Sequence, residues 1–372
     1  MEKVKIKNIF DFQKKSKIKA GDGFKLGEAQ YPFYTSSNEL TKSINEYLFE
    51  DESLIFGTGG LASIHFCNEK FAVSTDCFVI QPKDKKRVFS KFVYYYLSGN
   101  MNILENGFKG AGLKHISKDY LENIEIPLPN LATQQRIAAI LDQADAIIQN
   151  NRAIVQKYDA LTQSLFLDMF GDPVKNEKGW EKKEFKSFGK ISTGNTPSRA
   201  DAKNYDNDYI EWIKTDNIIE NQFHISKAQE YLSFEGAKKG RIVKENSLLV
   251  TCIAGSLQSI GRAGISNRKI AFNQQINAIE PNDNVNISFL YFLVKNSRKY
   301  IQDHASSGMK RMLSKGEFEK IKMILPPITL QNQFAERVAM IEAQKQQAQL
   351  ELAKSEELFQ SLLQRAFKGE LS

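Results

Sequence analysis

Residues 124–147 read IEIPLPNLATQQRIAAILDQADAI, a proline-rich turn followed by a pair of glutamines and then a run free of proline and glycine. The prolines interrupt any preceding helix or strand, because proline has no backbone N–H to donate. Thr133 is placed as an N-cap, and the uninterrupted run continues to Phe170. This stretch therefore predicts one long helix over residues 133–170.

The same pattern recurs 197 residues further along the chain. Gln134 falls on Gln331 and Phe170 falls on Phe367, and the register holds over more than fifty positions without a gap. Looser matches precede it: YPFYTSSN (31–38) with YIEWIKTDN (209–217), GGLASI (59–64) with GSLQSI (255–260), FAVSTDCFVIQP (71–82) with IAFNQQINAIEP (270–281), and FVYYYL (92–97) with FLYFLV (289–294). The chain is therefore a tandem duplication, each half ending in a long helix.

Both predicted helices carry an apolar stripe whose members recur at alternating steps of four and three residues. The first stripe is Ile137, Leu141, Ala144, Ile148, Asn151, Val155, Tyr158, Thr162, Leu165 and Met169; the second is Phe334, Val338, Ile341, Lys345, Ala348, Leu352, Ser355, Phe359, Leu362 and Ala366. A stripe of this period is buried by a partner helix. We expect the two helices, each about 57 Å long for roughly 38 residues, to pair antiparallel within one chain. The alternative is that each stripe docks on its own globular half.

The remaining sequence predicts two mixed α/β domains with curved β-sheet, so the fold class is α+β with a pseudo-twofold tandem repeat. Short strand-like runs at 53–56, 71–80, 247–253 and 270–279, separated by glycine- and asparagine-bearing turns, carry this prediction. The expected domains are 1–127 and 171–325, which are globular, and 128–170 and 326–372, which are helical. Gly171-Asp172-Pro173 is expected to end the first helix.

The chain has 372 residues, of which 41% are hydrophobic, and a formal net charge of +7, so it is expected to fold rather than remain disordered. Residues 171–325 hold 25 basic and 18 acidic side chains, whereas residues 1–127 hold 18 and 16. Three widely spaced cysteines and the absence of a leader or a long apolar run predict a soluble, cytoplasmic protein without a membrane partner.

Motifs of enzymatic chemistry are missing from the sequence. It contains no GxxxxGK[ST] phosphate loop, no HExxH and no GxSxG, and its four histidines are solitary. We therefore expect no catalytic residues, no metal site and no cofactor of its own.

The chain resembles the specificity subunits of type I restriction-modification systems. The resemblance is carried by residues 124–147, by LTQSLFLDMFGDP (161–173) before Gly179-Trp180, and by the second copy beginning ILPPITLQNQFAERV. ISTGNTPSR (191–199), EWIKTDNI (211–218) and GMKRMLS (308–314) support it. It covers essentially the whole chain, and the order of its motifs, met twice, is highly specific.

The resemblance implies two target-recognition domains that alternate with two helical spacers. It further implies that the chain reads a bipartite sequence in double-stranded DNA and docks two methyltransferase (modification) subunits, to which restriction/translocase subunits are added. S-adenosylmethionine and the adenine chemistry would then belong to the modification subunits. Because the two globular halves differ, their half-sites should differ, and the length of the helices should fix the unread base pairs between them.

Candidate DNA contacts are basic or polar residues in predicted loops, at places matched by the repeat or rich in polar side chains. Those nominated for phosphates are Lys109, Lys114, Lys310 and Arg311. Those nominated for bases or grooves are Thr35, Ser36, Thr58, Asn195, Ser198, Arg199, Lys214, Thr215, Gln258 and Arg262.

Apolar residues on the outer helix faces exceed what a two-helix seam buries, and we expect them to receive helices of the modification subunits. They are Ile140, Ile147, Phe166, Leu350 and Leu363. Two other classes stay open: a duplicated adaptor that binds proteins, favoured by the weak charge of the first half, and a standalone DNA-modifying enzyme. A steep salt dependence of DNA binding argues against the first, and failure to bind S-adenosylmethionine argues against the second.

Overall fold

The structure, a computed structural model, describes residues 2–110, 112–306 and 311–370. The chain divides into two units, each with its own core. Unit 1 comprises Met1–Arg152 and Gln349–Ser372, and unit 2 comprises Ala153–Ala348. Each unit thus combines one globular half with part of both long helices.

Unit 1 places most of its strands in two four-stranded sheets, with orders β2-β9-β6-β7 and β3-β5-β4-β8 among the described residues. Its strands are β1 (Lys3–Lys5), β2 (Phe10–Phe12), β3 (Phe24–Lys25), β4 (Tyr31–Tyr34), β5 (Lys42–Ile44), β6 (Ser53–Gly57), β7 (Ile64–Cys67), β8 (Ala72–Val73), β9 (Cys77–Pro82), β10 (Phe108–Lys109), β11 (His115–Ile116) and β12 (Glu125–Pro127). Its short helices are α1 (Ile6–Ile9), α2 (Ser90–Ser98), α3 (Met101–Glu105) and α4 (Lys118–Asn123). The long helix α5 spans Leu131–Phe170 and continues from unit 1 into unit 2.

Unit 2 repeats this plan, with sheet orders β14-β22-β18-β20 and β16-β15-β21-β17 in the described part of the chain. Its strands are β13 (Lys182–Glu184), β14 (Gly189–Thr193), β15 (Ile210–Ile213), β16 (Tyr231–Leu232), β17 (Arg241–Val243), β18 (Leu248–Thr251), β19 (Ile253–Ala254), β20 (Ala263–Ile265), β21 (Ile270–Phe272), β22 (Ile276–Pro281), β23 (Arg311–Met312) and β24 (Lys322–Ile324). Its helices are α6 (Phe234–Lys239), α7 (Ile287–Asn296), α8 (Arg298–Asp303) and α9 (Lys315–Lys320), and α10 (Ile328–Lys368) continues into unit 1.

The second sheet of each unit contains one parallel pair of strands. In unit 1, β4 pairs with β8, and in unit 2, β15 pairs with β21, with Tyr34 opposite Val73 and Ile213 opposite Phe272. The carboxyl ends of parallel strands meet at the same edge of a sheet. The polar loops that follow these strands are therefore brought together in each unit.

The long helices run antiparallel within each unit. In unit 1, Ile137 and Leu141 near the start of α5 share a core with Leu363 and Ala366 near the end of α10. In unit 2 the order is reversed, since Phe166 and Phe170 of α5 pack on Phe334 of α10 at ring-centroid distances of 5.6 and 5.3 Å. The predicted antiparallel pairing is confirmed, and ten of the twenty predicted seam residues are buried while the other ten are half-buried.

A buried glutamine fixes the first turn of each long helix to its globular part. The Gln134 amide accepts from the Phe89 N–H at 2.9 Å and donates to the Arg87 and Pro129 carbonyls at 3.0 and 2.8 Å. Gln331 does the same, accepting from the Asn286 N–H at 2.9 Å and donating to two carbonyls. The first glutamine of each predicted pair therefore has a structural role: it holds the start of the long helix to the globular part. We call each of these two sets of hydrogen bonds a clasp.

Two details of the prediction were wrong. The helix α5 begins at Leu131 rather than Thr133, and the side chain of Asn130 caps it by accepting from the Thr133 N–H at 2.9 Å. Residues 71–80 and 270–279, each predicted as one strand, are each two strands separated by a turn. That turn contains the polar residues at 74–76 in unit 1 and 273–275 in unit 2, and both turns lie at the carboxyl-end edge of the sheet.

Candidate nucleic-acid interface and partner-binding surface

Two nominated residues of unit 1 bond one backbone carbonyl, that of Asp76, and a third lies beside them in the chain. The Ser36 hydroxyl donates to it at 3.0 Å, and the Thr58 N–H donates to it at 2.9 Å. Thr35 precedes Ser36 directly after β4, and its hydroxyl accepts from the Ser37 N–H at 3.4 Å. The parallel pair β4–β8 therefore gathers these hydroxyl side chains at its carboxyl end.

Lys109 and Lys114 join the same edge through the β10–β11 hairpin. The carbonyl of Thr58 accepts from the Ile116 N–H and from Nδ1 of His115, both at 3.1 Å. Lys109 pairs with His115 across the hairpin, and both nominated lysines are exposed. We call residues 35–38, 58–62, 74–76, 109–110 and 112–115 the unit 1 edge.

Unit 2 builds its edge with the same backbone contacts. The Cys252 N–H donates to the Gln275 carbonyl at 2.8 Å, and the Cys252 carbonyl accepts from the Leu313 N–H at 2.8 Å. These contacts match those of Thr58 with Asp76 and Ile116. Burial raises the pKa of the Cys252 thiol to about 12, so this thiol is neutral and structural. We call residues 194–199, 214–217, 252–260, 273–275 and 311–313 the unit 2 edge.

Two nominated cations of unit 2 share one carboxylate. Arg199 and Lys214 both form ion pairs with Glu230, and the Arg199 guanidinium lies 5.0 Å from the centroid of the Trp212 ring. The hydrogen bond from Lys214 lowers the pKa of Glu230, which is therefore ionised at neutral pH. The carboxylate orients both cations at the edge while leaving one net positive charge in the cluster.

The remaining nominated residues of unit 2 are used differently. The Asn195 amide bonds the backbone of Lys239 and Arg241 at 2.6 Å each, so it braces its loop. The Ser198 carbonyl accepts from Asn204 at 2.9 Å, and Thr215 begins a single 3-10 turn over Thr215–Asn217.

Gln258 and Arg262 lie close in sequence but in different surroundings. Gln258 is exposed in the 252–260 loop, where its carbonyl accepts from Arg298. Arg262 lies 3.2 Å from the Glu220 carboxylate, which also binds Arg298, so Arg298 links the Gln258 carbonyl to this charged cluster. Arg311 belongs to β23 and pairs through its backbone with Ala254, and Lys310 lies outside the described residues.

The sequence reasoning missed the amide side chains of the 273–275 turn. Gln274 is exposed, and its side-chain oxygen accepts a hydrogen bond from the Thr196 hydroxyl. The side-chain NH₂ of Gln275 donates to the Ile253 carbonyl at 3.5 Å. The sequence match of 71–82 with 270–281 aligns this turn with Ser74-Thr75-Asp76. The turn was not predicted because both runs were interpreted as continuous strands.

The nominated partner-binding residues separate into exposed and buried groups. Ile147 and Leu350 are 48% and 53% exposed, and Ile140 is half-buried. Phe166 and Leu363 are instead fully packed in the cores of their own units, so a surface role for these two is wrong. The apolar stripe of a helix in a globular protein is wider than the seam of a two-helix coiled coil. The globular part can therefore cover one side of the stripe, and a heptad pattern does not predict which residues it covers.

Further exposed apolar residues lie on the same two helices. On α5, Ile154 and Leu161 continue the seven-residue spacing of Ile140 and Ile147. On α10, Met340 and Leu358 are exposed. Such a second apolar stripe on a helix is typical of a surface that packs against another helix.

A metal centre and a membrane span each place requirements on the described part of the chain. Among the described residues, no group of three or more His, Cys, Asp or Glu side chains is placed to hold a metal ion. In that same part of the chain, every helix is too short or too polar to cross a membrane.

Each unit thus combines a mixed α/β framework, polar loops gathered at one edge and an antiparallel pair of helix segments. The sequence matches the family described as the type I restriction modification DNA specificity domain over residues 1–157 and 177–352. The chain belongs to this family, as the resemblance predicted.

Individual relatives agree with this assignment. The chain is 24% identical to the specificity subunit of the HindI type I restriction enzyme from Haemophilus influenzae, over 90% of this chain and 85% of that protein. It is 22% identical to the EcoDI specificity subunit from Escherichia coli, over 93% and 83%. Its fold is similar to that of the type I restriction-modification S subunit from M. genitalium, with a TM-score of 0.63 at 15% identity over 98% of this chain and 95% of that one.

Proposed function

We propose that this chain reads an asymmetric, bipartite sequence in double-stranded DNA, one half-site at each edge. The observation that supports this most directly is the combination of a shared backbone framework with different side chains at matched places. Thr35-Ser36 of unit 1 correspond to Lys214-Thr215 of unit 2, and Ser74-Thr75-Asp76 correspond to Asn273-Gln274-Gln275. Because the backbone is the same while the side chains that contact the bases differ, the two units are expected to recognise different base sequences.

The side chains at the two edges suit different base contacts. The amides of unit 2 present the paired donor and acceptor that adenine N6 and N7 accommodate, and its cations suit phosphates or guanine. The hydroxyls of unit 1 are less selective in hydrogen bonding, and Lys109 and Lys114 provide phosphate contacts beside them. The two half-sites are therefore expected to differ in base composition as well as in order.

The helices set the separation of the half-sites in this proposal. Both α5 and α10 continue from one unit into the other. Because an α-helix has a fixed rise per residue, its length fixes how many unread base pairs separate the half-sites.

The chain acts in this proposal as the non-catalytic subunit of a larger assembly. Two modification subunits dock on the exposed apolar residues of α5 and α10, and restriction/translocase subunits join for cleavage. The modification subunits supply S-adenosylmethionine and the adenine chemistry, and this chain needs no cofactor. The spacing of Ile140, Ile147, Ile154 and Leu161 supports a helical partner, since steps of seven residues face one side of a helix.

Mapping methylated adenines in the genome of cells that carry this chain and its modification subunit tests the DNA proposal. The expected result is one bipartite motif with two different halves. A palindromic motif, or a motif unchanged when the chain is replaced by another specificity subunit, contradicts it. Electrophoretic shifts at two salt concentrations separate DNA binding from the adaptor alternative, because phosphate contacts impose a steep salt dependence.

Copurification tests the partner surface. Ile147→Lys with Leu350→Lys places two charges on exposed apolar positions and is expected to reduce recovery of the modification subunit severely. Gln349→Lys is the matched control, because its exposed side chain lies about 100° around α10 from Leu350. Full recovery with the double variant contradicts the proposed surface.

A further inference from the structure

Two leucines on the unit 1 edge are far more exposed than apolar side chains of their size usually are. Leu61 is 81% exposed and Leu113 is 79% exposed, the highest values among the large hydrophobic side chains of the described residues. Single exposed leucines are ordinary on protein surfaces. These two share one edge with the nominated DNA contacts, and neither belongs to a core.

The backbone brings the two segments that carry the leucines together at one bridge. Gly59 and His115 form an antiparallel bridge, and Nδ1 of His115 lies 3.1 Å from the Thr58 carbonyl. Leu61 lies two residues beyond this bridge on one segment, and Leu113 lies two residues before it on the other. In an antiparallel arrangement these two positions extend from the bridge in the same direction.

The loop tips that carry the leucines have backbones suited to close approach. Gly60 has φ +82°, and a Cβ built on it would meet no atom within 4 Å. Gly110 has φ +144°, a conformation that residues with side chains rarely adopt. A Cβ on Gly110 would lie 2.8 Å from the Leu113 carbonyl oxygen, whereas one on Gly112 would meet no atom within 4 Å. The tips are thus open on the outside at Gly60 and Gly112, and the hydrogen bonds of Thr58 anchor their base.

The surroundings of the leucines are basic. Lys109 and Lys114 are both exposed in the same hairpin, and Lys114 follows Leu113 directly. An apolar tip flanked by lysines suits a polyanion whose interior is apolar. In DNA, phosphates lie on the outside and stacked bases lie between them, and proteins that bend DNA insert leucine or similar side chains between base steps.

We propose that Leu61 and Leu113 form an apolar wedge that enters a base step of the half-site read by unit 1, with Lys109 and Lys114 on neighbouring phosphates. This rests on the proposed function and adds to it that unit 1 reads its half-site partly through deformation of the DNA. The sequence dependence of unstacking then supplies selectivity at an edge whose hydroxyls discriminate bases weakly.

A protein partner is less well suited to this tip. Stable protein interfaces bury about 800 Å² on each side, and here two leucines stand among glycines and lysines. In unit 2 the matched residue Leu257 is half-buried within the 3-10 turn Leu257–Ser259. Among the described residues the wedge is therefore a feature of unit 1, and the deformation is assigned to its half-site.

Fluorescence of 2-aminopurine, which rises when the base unstacks, tests the wedge. Duplexes of the target found by methylation mapping carry the probe at one position at a time, excluding the methylated adenine, and bind the complex of the full chain with its modification subunits. We expect a several-fold rise at one step in one half-site. Leu61→Ser with Leu113→Ser should abolish the rise and weaken binding about tenfold, without loss of folding because both side chains are exposed.

Leu48→Ser is the matched control, since Leu48 is an exposed leucine of unit 1 whose N–H bonds Phe71, at the opposite end of the parallel pair. It should retain the fluorescence rise and the affinity. A target bound selectively by the wild-type complex without any unstacked step overturns the wedge and leaves the proposed function intact. Loss of the modification subunit from the double serine variant overturns it in favour of a protein contact, and failure of the wild-type complex to prefer its target overturns the proposed function itself.

Discussion

The two edges of the molecule share their backbone and differ in their chemistry. In both units a residue after the central strand, Thr58 or Cys252, donates to the turn that follows the parallel pair and accepts from the segment before the last short helix. Around this common framework, unit 1 presents hydroxyls and exposed leucines, whereas unit 2 presents amides and ion-paired cations. Because the framework is held by backbone hydrogen bonds, the side chains that read DNA can vary without loss of the fold.

The largest effects are expected where the two units are alike. Gln134→Leu and Gln331→Leu each remove a buried amide that makes three hydrogen bonds to the backbone. Each should lower the free energy of unfolding of its unit by about 3 kcal/mol, because buried donors and acceptors lose their partners. Urea denaturation measures this, with the exposed neighbours Gln135→Leu and Gln333→Leu as controls. A costly change in one unit and a neutral one in the other would show that the clasps are not equivalent.

The sequence predicted the repeated features best. A gapless match of more than fifty residues and a regular apolar period were enough to predict two long helices and their antiparallel pairing. The edges could not be read in the same way. The turn at Asn273-Gln274-Gln275 lies between two apolar segments that both have the pattern of a strand. The exposure of this turn depends on the pairing of β21 with β15, which are distant in sequence.

The burial of individual helix residues was also beyond the sequence. Phe166 and Leu363 fit an outer face by heptad counting, yet Phe166 packs against the globular part of unit 2 and Leu363 against that of unit 1. Which side of a wide apolar stripe is covered depends on where the globular part sits, and periodicity alone does not specify this.

The helix pair differs between the units in the burial of its ion pairs. In unit 2, Lys345 pairs with Asp159 at 2.7 Å and its side chain is 8% exposed, whereas in unit 1, Arg152 pairs with Glu356 at 2.7 Å with both side chains about half exposed. Lys345→Met should cost about 1–2 kcal/mol of unfolding free energy, because Asp159 loses its partner at a partly buried position. Arg152→Met should cost less than about 0.5 kcal/mol, as exposed pairs do.

Denaturation at low and high salt checks this difference. The Lys345 effect should persist in salt, and the Arg152 effect should vanish. Adding Asp159→Leu to Lys345→Met should recover stability, since the unpaired carboxylate is then removed. Equal costs for the two single variants would mean that burial does not distinguish the two ion pairs.

Acid stability should also differ between the units. Arg268 donates two hydrogen bonds of 2.6 Å to Glu211 and holds the pKa of that carboxyl below its ordinary value of 4.5. At the matched strand position, unit 1 has Pro32. A carboxyl with a lowered pKa in the folded state stabilises fully above its unfolded pKa, and this contribution is lost as the pH falls through the folded pKa.

Glu211→Gln should therefore cost about 1 kcal/mol at pH 7, the worth of a charge-assisted hydrogen bond. It should cost progressively less below about pH 4.5, where the carboxyl of the unfolded chain takes up its proton, and the advantage is lost once the pH falls below the lowered pKa of the folded state. Thermal unfolding across this range measures the difference, with Glu235→Gln, whose carboxylate pairs with Lys238 on the surface, as the control. A difference that does not shrink in acid would show that ionisation of Glu211 is not what stabilises unit 2.

Matched residues of the two edges should differ in their effect on DNA affinity. Lys214→Met removes a cation that Glu230 and the Trp212 ring hold at the unit 2 edge, and Thr35→Val removes a hydroxyl from the corresponding place in unit 1. If Lys214 contacts a phosphate, its loss should weaken binding of the target duplex up to tenfold at about 0.1 M salt and reduce the slope of log K against log salt by about one. Thr35→Val should leave that slope unchanged, because a hydroxyl releases no counterion.

Lys269→Met is the control for net charge, because this exposed lysine precedes β21 at the end opposite the unit 2 edge. It should change neither the affinity nor the slope appreciably. A slope that falls equally with Lys214→Met and Lys269→Met would mean that the protein's overall charge, rather than a contact at the edge, attracts the DNA. A slope that falls with Thr35→Val would mean that the valine displaces a neighbouring cation, which Lys109→Met in the same half-site would then reproduce.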